Sequence, residues 1–426
     1  MKTTEPLPFP TQLQKHLPIC IDVAKDSLTW YVKHQGKSQT GTLAYRGSTL
    51  TQWFTERKAE ALAQGYIGLQ IICESTGSYH RRLLRMAREQ GCTTAMVSGE
   101  QVNALQIVES NDTGKSDWKD PRTMMLLVDW GKTLKDRDLG EHWSALREWD
   151  AWYNRIEARL IEVKNRLHSH LNQLFPELSF KKDWRFKSEA ARQLVNHYGL
   201  DPLAILADGE KTVTRTLNKA GLRPKTIARL WRDATASKSG HGTKAWRTVI
   251  VAQVRAGYAE LAQLNQERTT VREAMVASLT TLQEAGEVKL RAQPGLIGAF
   301  LLSRIVAQTG PLTDFKAIEQ LWRYGGMNLR PKQSGNVRQK ERQAKRGRSQ
   351  LRKVLGQAVL KLVVKGALYG EYYHAKKAAG MAGPVAMTAV ARKLLKLLFG
   401  LERSQSAYDP KRVFICQSSY PTKKAA

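Results

Sequence analysis

Four carboxylates hold the most chemistry in this sequence: Asp22, Glu74, Asp117 and Asp120. Asp22 sits inside Ile19-Cys20-Ile21-Asp22-Val23-Ala24-Lys25, a run that reads as a buried β-strand. An ionised aspartate there is costly unless something pairs with it; taken alone, it could cap a turn or meet Lys25. Glu74 ends a second apolar run, Ile67 to Cys73. Asp117 and Asp120 lie at the start of a later helix. Pro121 disfavours helical geometry at Asp120 and suits a first helical residue, so Asp120 is expected as an N-cap, a sufficient role by itself. If the strands of Asp22 and Glu74 are neighbours, the two acids lie side by side and the helix can lay its aspartates across them. Four carboxylates so close repel strongly, a problem that hard cations such as Mg²⁺ solve with oxygen ligands. One or two Mg²⁺, about 4 Å apart in two-metal sites, polarise a phosphodiester and stabilise its attacking and leaving oxygens. The chemistry predicted is metal-assisted phosphoryl transfer.

The elements that must position these groups follow from the patterning. After the strand of Asp22 come a strand at 29–32, a turn at Gly36-Lys37 and a strand at 38–45. A helix capped by Ser48 carries Leu50, Trp53, Phe54 and Leu62. The strand ending at Glu74 precedes a helix from Ser78 to Gly91, and 93–97 is a fifth strand. The order hairpin, strand, helix, strand, helix, strand is that of a ribonuclease-H-like α/β domain. A polar loop through Glu109 to Gly114 leads to a helix with Met124, Leu127, Val128 and Leu134.

From about residue 142 long helices take over. Leu146, Trp149, Tyr153, Ile156, Leu160, Val163, Leu167, Leu171 and Leu174 recur at steps of three and four, and a second seam runs from Ile250 to Leu282. A single chain can fold them back as an antiparallel arm that spaces domains or joins protomers. Between them, 176–244 reads as a helical insertion with a basic cluster, Lys181 to Lys187, and a flexible stretch, Ser237 to Gly242. Trp184 and Phe186 would stack on bases or pack in the insertion's own core. The C-terminal part is helical, from Pro294 through a helix at 351–369 to a last helix at 384–400. The expected domains are 1–140, 141–287 and 288–402, with a tail from 403 to 426.

The 426 residues carry 68 Lys+Arg against 38 Asp+Glu, a formal net charge of +30. Apolar (42%) and charged (25%) fractions are those of a globular protein, so the excess points to a polyanionic partner. Between 323 and 353 there are eleven Lys/Arg and one acid, Glu341; a solvated helix face mixes signs, so this segment is a candidate phosphate-binding run. No apolar run approaches the roughly 20 residues that span a bilayer. With neither a membrane span nor a secretion signal, a cytoplasmic protein is expected. Cys20, Cys73, Cys92 and Cys416 are scattered, which argues against a zinc finger and a disulfide framework.

Three segments, ICIDVAKDSL, ICESTGSYH and KSDWKDPR, resemble the acidic motifs of DEDD-type insertion-sequence transposases. The family is the one numbered one hundred and ten, which also holds the pilin-gene invertases. PGLIGAFLLSRI, YGGMNLRPKQSG and KRGRSQLRKVL resemble that family's second domain. The resemblance covers about 17–135 and 288–370. It implies a RuvC-like N-terminal domain in which Asp22, Glu74, Asp117 and Asp120 bind Mg²⁺, and a mainly helical transposase domain. It also implies that Ser334 is the nucleophile of DNA strand cleavage and rejoining through a phosphoserine. A structured bridge RNA paired with donor and target DNA is the implied guide.

Ser-Gly is by itself a common turn, and a serine hydroxyl needs activation to attack. Arg330, Lys332, Arg338, Lys340, Lys345, Arg346, Arg348 and Arg352 would bind phosphate or stabilise charge on the transferring group. The expectation is an Mg²⁺-dependent recombinase working as a homodimer or homotetramer. The rivals are a RuvC-like nuclease or junction resolvase using metal-activated water, and a basic nucleic-acid-binding protein without activity.

Overall fold

A computed structural model describes residues 16–74, 77–110, 119–136, 139–178, 189–237, 242–334, 337–344, 346–406 and 408–410. The chain divides into two units, Met1–Asp138 and Leu139–Ala426.

In the first unit β1 (His16–Val23), β2 (Ser27–His34) and β3 (Lys37–Ala44) form an antiparallel meander. β4 (Gly68–Glu74) and β5 (Thr93–Val97) continue the sheet in parallel with β1, and β6 (Leu134–Lys135) closes it antiparallel, in the order β3-β2-β1-β4-β5-β6. This is the ribonuclease-H-like layout. Alternate residues on a strand face opposite sides, and the core divides accordingly. Ile19, Ile21, Leu69, Ile71 and Cys73 bury one face with residues of α1 (Gly47–Ala63) and α2 (Tyr79–Glu89). Cys20, Ile72, Ala95 and Val97 bury the other with Val102 of α3 (Gly99–Ser110) and Met124, Met125 and Leu127 of α4 (Lys119–Asp129).

Three local expectations are corrected here. α3 runs on to Ser110, past the start of the polar loop expected from Glu109, and Val102 packs it into the core. α4 ends at Asp129, its end closed by the Lys132 N–H donating to Leu127 O, so Leu134 leaves the helix and pairs with Met96 in β6. α1 starts at Gly47 behind Arg46, which places Ser48 inside the first turn instead of at the cap.

The second unit is built on an antiparallel pair, α5 (Gly140–Leu174) and α10 (Lys244–Glu284). Arg159 Nε donates to Glu260 at 2.7 Å, Arg268 reaches Glu157, and Trp143 bonds Glu287, so one helix descends as the other rises. Between them lie α6 (Glu189–Tyr198), α7 (Pro202–Ala207), α8 (Glu210–Lys219) and α9 (Pro224–Ala236). Their Leu194, Ile205, Leu217 and Leu230 belong to the same core as the pair. The basic cluster at 181–187 and most of the flexible stretch lie outside the described residues. α11 (Ala299–Thr309), α12 (Ile318–Tyr324), a β7–β8 hairpin (Leu329–Ser334 and Val337–Gln343), α13 (Ser349–Val359), α14 (Gly370–Ala378) and α15 (Gly383–Ser404) follow. The helix expected over 351–369 therefore stops at Val359 and gives way to turns. No described helix is long and apolar enough to cross a membrane.

One slot of the α5 seam differs from the periodic reading. Trp149 is only partly buried, and the core position belongs to Asp150, fully buried. Arg304 of α11, equally buried, donates through Nε to Asp150 Oδ1 at 2.7 Å and over the Tyr153 ring places its guanidinium carbon 4.6 Å from the centroid. Its other nitrogens reach Gln357 Oε1 and Asn154 Oδ1, while Gln308 donates to Asp150 Oδ2. The network joins arm, α11 and α13. Removing one partner strands a buried charge, so Arg304→Ala is expected to lose about 3–5 kcal/mol in urea unfolding. The paired replacement Asp150→Leu with Arg304→Met is expected to lose far less, because no charge is left alone. Equal losses would rule out an ionic role.

Candidate active site

The parallel pairing of β1 with β4 sets Ile21 opposite Cys73, so the next residues, Asp22 and Glu74, come side by side. Both are half-buried. Cys20 and Ile72, two residues earlier on each strand, share the α3–α4 face, and the two acids follow them onto it. They stand at the carboxyl ends of adjacent parallel strands, where open α/β sheets place their ligand crevice. The Val23 N–H donates to Asp22 Oδ1 at 2.9 Å. The Glu74 carboxylate lies against the backbone of Gly99, where α3 begins; a Cβ at that position would collide with it. Gly99 is thus part of the cradle of Glu74, a contribution that spacing did not reveal.

Asp120 falls within the first turn of α4, since the helix starts at Lys119, and it is not the N-cap expected. Its Oδ1 accepts a hydrogen bond from the Gln106 side chain of α3. An acid in the first turn is favoured by the helix dipole, and Gln106 orients it. Gln106 stands just before the expected polar loop, in a stretch to which the patterning assigned no element. Asp117 lies outside the described residues. Among the described residues no three His, Cys, Asp or Glu side chains gather closely enough to hold a metal ion; the acids brought together are Asp22 and Glu74.

The donors present fit a hard cation. They are carboxylate oxygens, and the nearby sulfurs stay protonated: burial pushes the Cys20 thiol well up, helped by the charge of Asp129. The Cys73 thiol is pushed up to about 12, by burial first and then by the charges of Asp136, Glu74 and Asp22. A thiol reacts as its thiolate. Cys73 in the native protein is therefore expected to resist iodoacetamide at pH 8, where about one in 10⁴ molecules carries the thiolate, and to be alkylated readily in denaturant. Rapid native labelling, read by peptide mass spectrometry, would contradict that burial.

Ser334 lies in the second unit, at the end of β7, paired with Val337 as the last rung before Gly335 and Asn336. The register shifts between Arg330 and Lys332, where Pro331 has no N–H to give to the ladder. Arg330 and Lys332 lie on β7 and Arg338 and Lys340 on β8, with Arg330 opposite Arg342. Lys345 lies outside the described residues, and Arg346 is exposed.

Arg348 and Arg352 also hold the neck of this hairpin. Arg352 Nη1 donates to the Gly325 and Gly347 carbonyls at 2.8 and 3.3 Å, and Arg348 donates to the Tyr324 hydroxyl at 2.5 Å. The two ends of the hairpin cross so tightly that a Cβ on Gly347 would lie 2.6 Å from the Gly326 nitrogen. Both glycines have positive φ, 65° for Gly326 and 137° for Gly347, so only glycine satisfies both the space and the backbone. The pair Gly-Gly and Lys-Arg-Gly in the sequence thus marks a structural crossing.

Two family profiles match the chain. One, a DEDD transposase profile of the IS110 type described as Transposase, spans residues 19–176. The other, described as Transposase IS116/IS110/IS902 family, spans residues 289–374. Together they cover more than half of the 426 residues. A search of curated proteins found no match. The first profile runs from the strand of Asp22 through both carboxylate segments to just past the end of α5, and the second from before α11 into α14, across Ser334. With the six-stranded sheet, the paired acids and the cationic hairpin in that order, the chain belongs to the IS110 family of DEDD transposases, enzymes that bind DNA and transfer its strands.

Proposed function

We propose that this transposase cuts and rejoins DNA through Ser334, with Asp22, Glu74, Asp117 and Asp120 as the residues that hold Mg²⁺. The observation that carries this reading is the adjacency of Asp22 and Glu74 at the carboxyl ends of β1 and β4. Two half-buried carboxylates side by side raise each other's energy, and a shared cation would lower it. Mg²⁺ bound there would polarise the phosphodiester and offset its growing negative charge.

The chain's own groups carry the remaining work. Ser334 Oγ attacks phosphorus, one P–O bond to a sugar breaks, and the departing sugar oxygen takes up a proton. The phosphoserine keeps the bond energy, so that attack by another sugar hydroxyl restores a phosphodiester and frees the serine without ATP. Arg330, Lys332, Arg338, Lys340, Lys345 and Arg346 neutralise phosphates around the hairpin. Arg348 and Arg352 add charge there and brace its neck. The arm is assigned to joining protomers in a dimer or tetramer, with 288–402 as the domain of the serine. A structured RNA from beside the gene is assigned to choosing donor and target, and the reaction to the cytoplasm.

Trapping tests this. Incubated with Mg²⁺, the RNA transcribed from the gene's flanks and a nicked DNA spanning those flanks, the protein is expected to migrate with labelled DNA on a denaturing gel. Cut DNA without any adduct would instead mean hydrolysis by activated water. An unchanged yield when the RNA is left out would remove the guide from the proposal.

A further inference from the structure

Among the described residues, the sheet face that carries Asp22 and Glu74 is not closed across its width. α3 and α4 bury its β1, β4 and β5 portion. On β2 and β3 the same face is mainly polar: Thr29 stands opposite Thr42, Lys33 opposite Ser38, and Thr40 opposite Tyr31, whose half-buried ring packs against the α3–α4 core. These strands are not polar throughout, since Leu28 and Val32 bury their other face. A groove of about 470 Å³ runs here, with Tyr31, Lys33, Ser38 and Thr40 on one side and Arg122, Met125, Leu126 and Asp129 of α4 on the other. The volume falls in the range of roughly 300–1,000 Å³ typical of ligand sites.

Register connects the groove to the acids. Tyr31 lies beside Cys20, and the next row on the same face is Asp22, Thr29 and Thr42. Rows on one face are about 6.8 Å apart, so the floor of the groove is one row from Asp22. Its lining suits a sugar–phosphate chain. The hydroxyls bond sugar or phosphate oxygens, the part of the Tyr31 ring that the α3–α4 core leaves uncovered offers apolar surface to a base, and Arg122, exposed on α4, supplies positive charge. The one acid in the wall, Asp129, is already engaged with Lys33 at 3.9 Å, both about half exposed. Such a pair is worth little and yields readily to a phosphate.

We infer that this groove is the track along which a single nucleic-acid strand, DNA or RNA, is led to Asp22 and Glu74. The inference rests on the proposed role of those acids. Bulk affinity cannot report it, because a chain of net charge +30 binds polyanions at many places. A local probe can. The photocrosslinker p-benzoylphenylalanine is placed in the full chain at Thr40, exposed on the edge strand, and in a control at Gln52, exposed on α1 against the other face. Labelled oligothymidylate and oligouridylate are then irradiated with each protein.

Position 40 is expected to crosslink and position 52 to stay at background. Crosslinking to oligothymidylate assigns the track to DNA, to oligouridylate assigns it to RNA, and to both assigns it to either strand. Arg122→Glu is expected to bring the position-40 signal down to background, and Arg122→Gln, which keeps the side chain's bulk, to reduce it partly. A position-40 signal no higher than that of position 52 overturns the inference, as does one that Arg122→Gln and Arg122→Glu leave intact. If the Ser334 adduct forms while position 40 stays silent, the track alone fails. If position 40 crosslinks and no adduct forms, the serine mechanism fails and the track stands.

Discussion

Replacing Ser334 by alanine is expected to abolish strand transfer and the covalent adduct together, with a rate loss of about four orders of magnitude or more. Losses of that size follow removal of a group that makes and breaks bonds, because the remaining site can still bind and polarise but has no atom to accept the phosphoryl group. DNA retention on a gel is expected to stay within about twofold of the wild type, since a neutral hydroxyl releases no counterion. Ser349 provides the control. It is the first residue of α13, exposed just after Arg348. Ser349→Ala should therefore transfer strands normally. An adduct that survives in Ser334→Ala would move the nucleophile elsewhere, and equal loss in both variants would point to damage around the hairpin neck.

The second large effect is expected from the acids. Asp22→Asn and Glu74→Gln should each lower strand transfer by about 10²–10³-fold, the scale on which aimed electrostatic groups contribute. Neither should unfold the sheet. An amide at position 22 would keep the oxygen that accepts from the Val23 N–H, and one at position 74 would have the same outline against Gly99. Removing one of two neighbouring negative charges relieves repulsion, so metal-free thermal stability should hold or rise slightly. Mg²⁺ gives a readout independent of activity: at about 100 times its Kd it would stabilise the wild type by about 2.7 kcal/mol, and the variants should lose that increment. Mg²⁺ stabilisation equal in wild type and both variants would place the cation elsewhere, and full strand transfer by Asp22→Asn would make the acids structural.

Much of the first unit was legible because β1 and β4 bury both faces. β5 has the bounds expected, and β1 and β4 differ from their apolar runs by a few residues. A continuous Ile, Leu, Val and Cys run between turn residues leaves few alternatives. β6 and α3 were hidden for the opposite reason. β6 is two residues long, held by its pairing with β5, and α3 owes its place to Val102 meeting a sheet far away in sequence. The arm was legible as two seams, but hydrophobic periodicity passes over charged residues. It could not show that Asp150 fills a core slot, because its partner Arg304 lies on another helix.

The sequence by itself determined the order of the elements, the four acids, the serine before Gly335 and the basic run, because residue type and near-neighbour spacing survive without a fold. Two acids 52 residues apart, Asp22 and Glu74, became neighbours only through the parallel register of β1 and β4. That register depends on burying two faces at once, and a slip by one residue would turn Asp22 to the other side. Tertiary structure also decided that Gly99 cradles Glu74, that Gln106 holds Asp120, and that Arg352 braces the hairpin as well as adding charge. Each of these depends on which backbone approaches which side chain, a distance that no linear spacing contains.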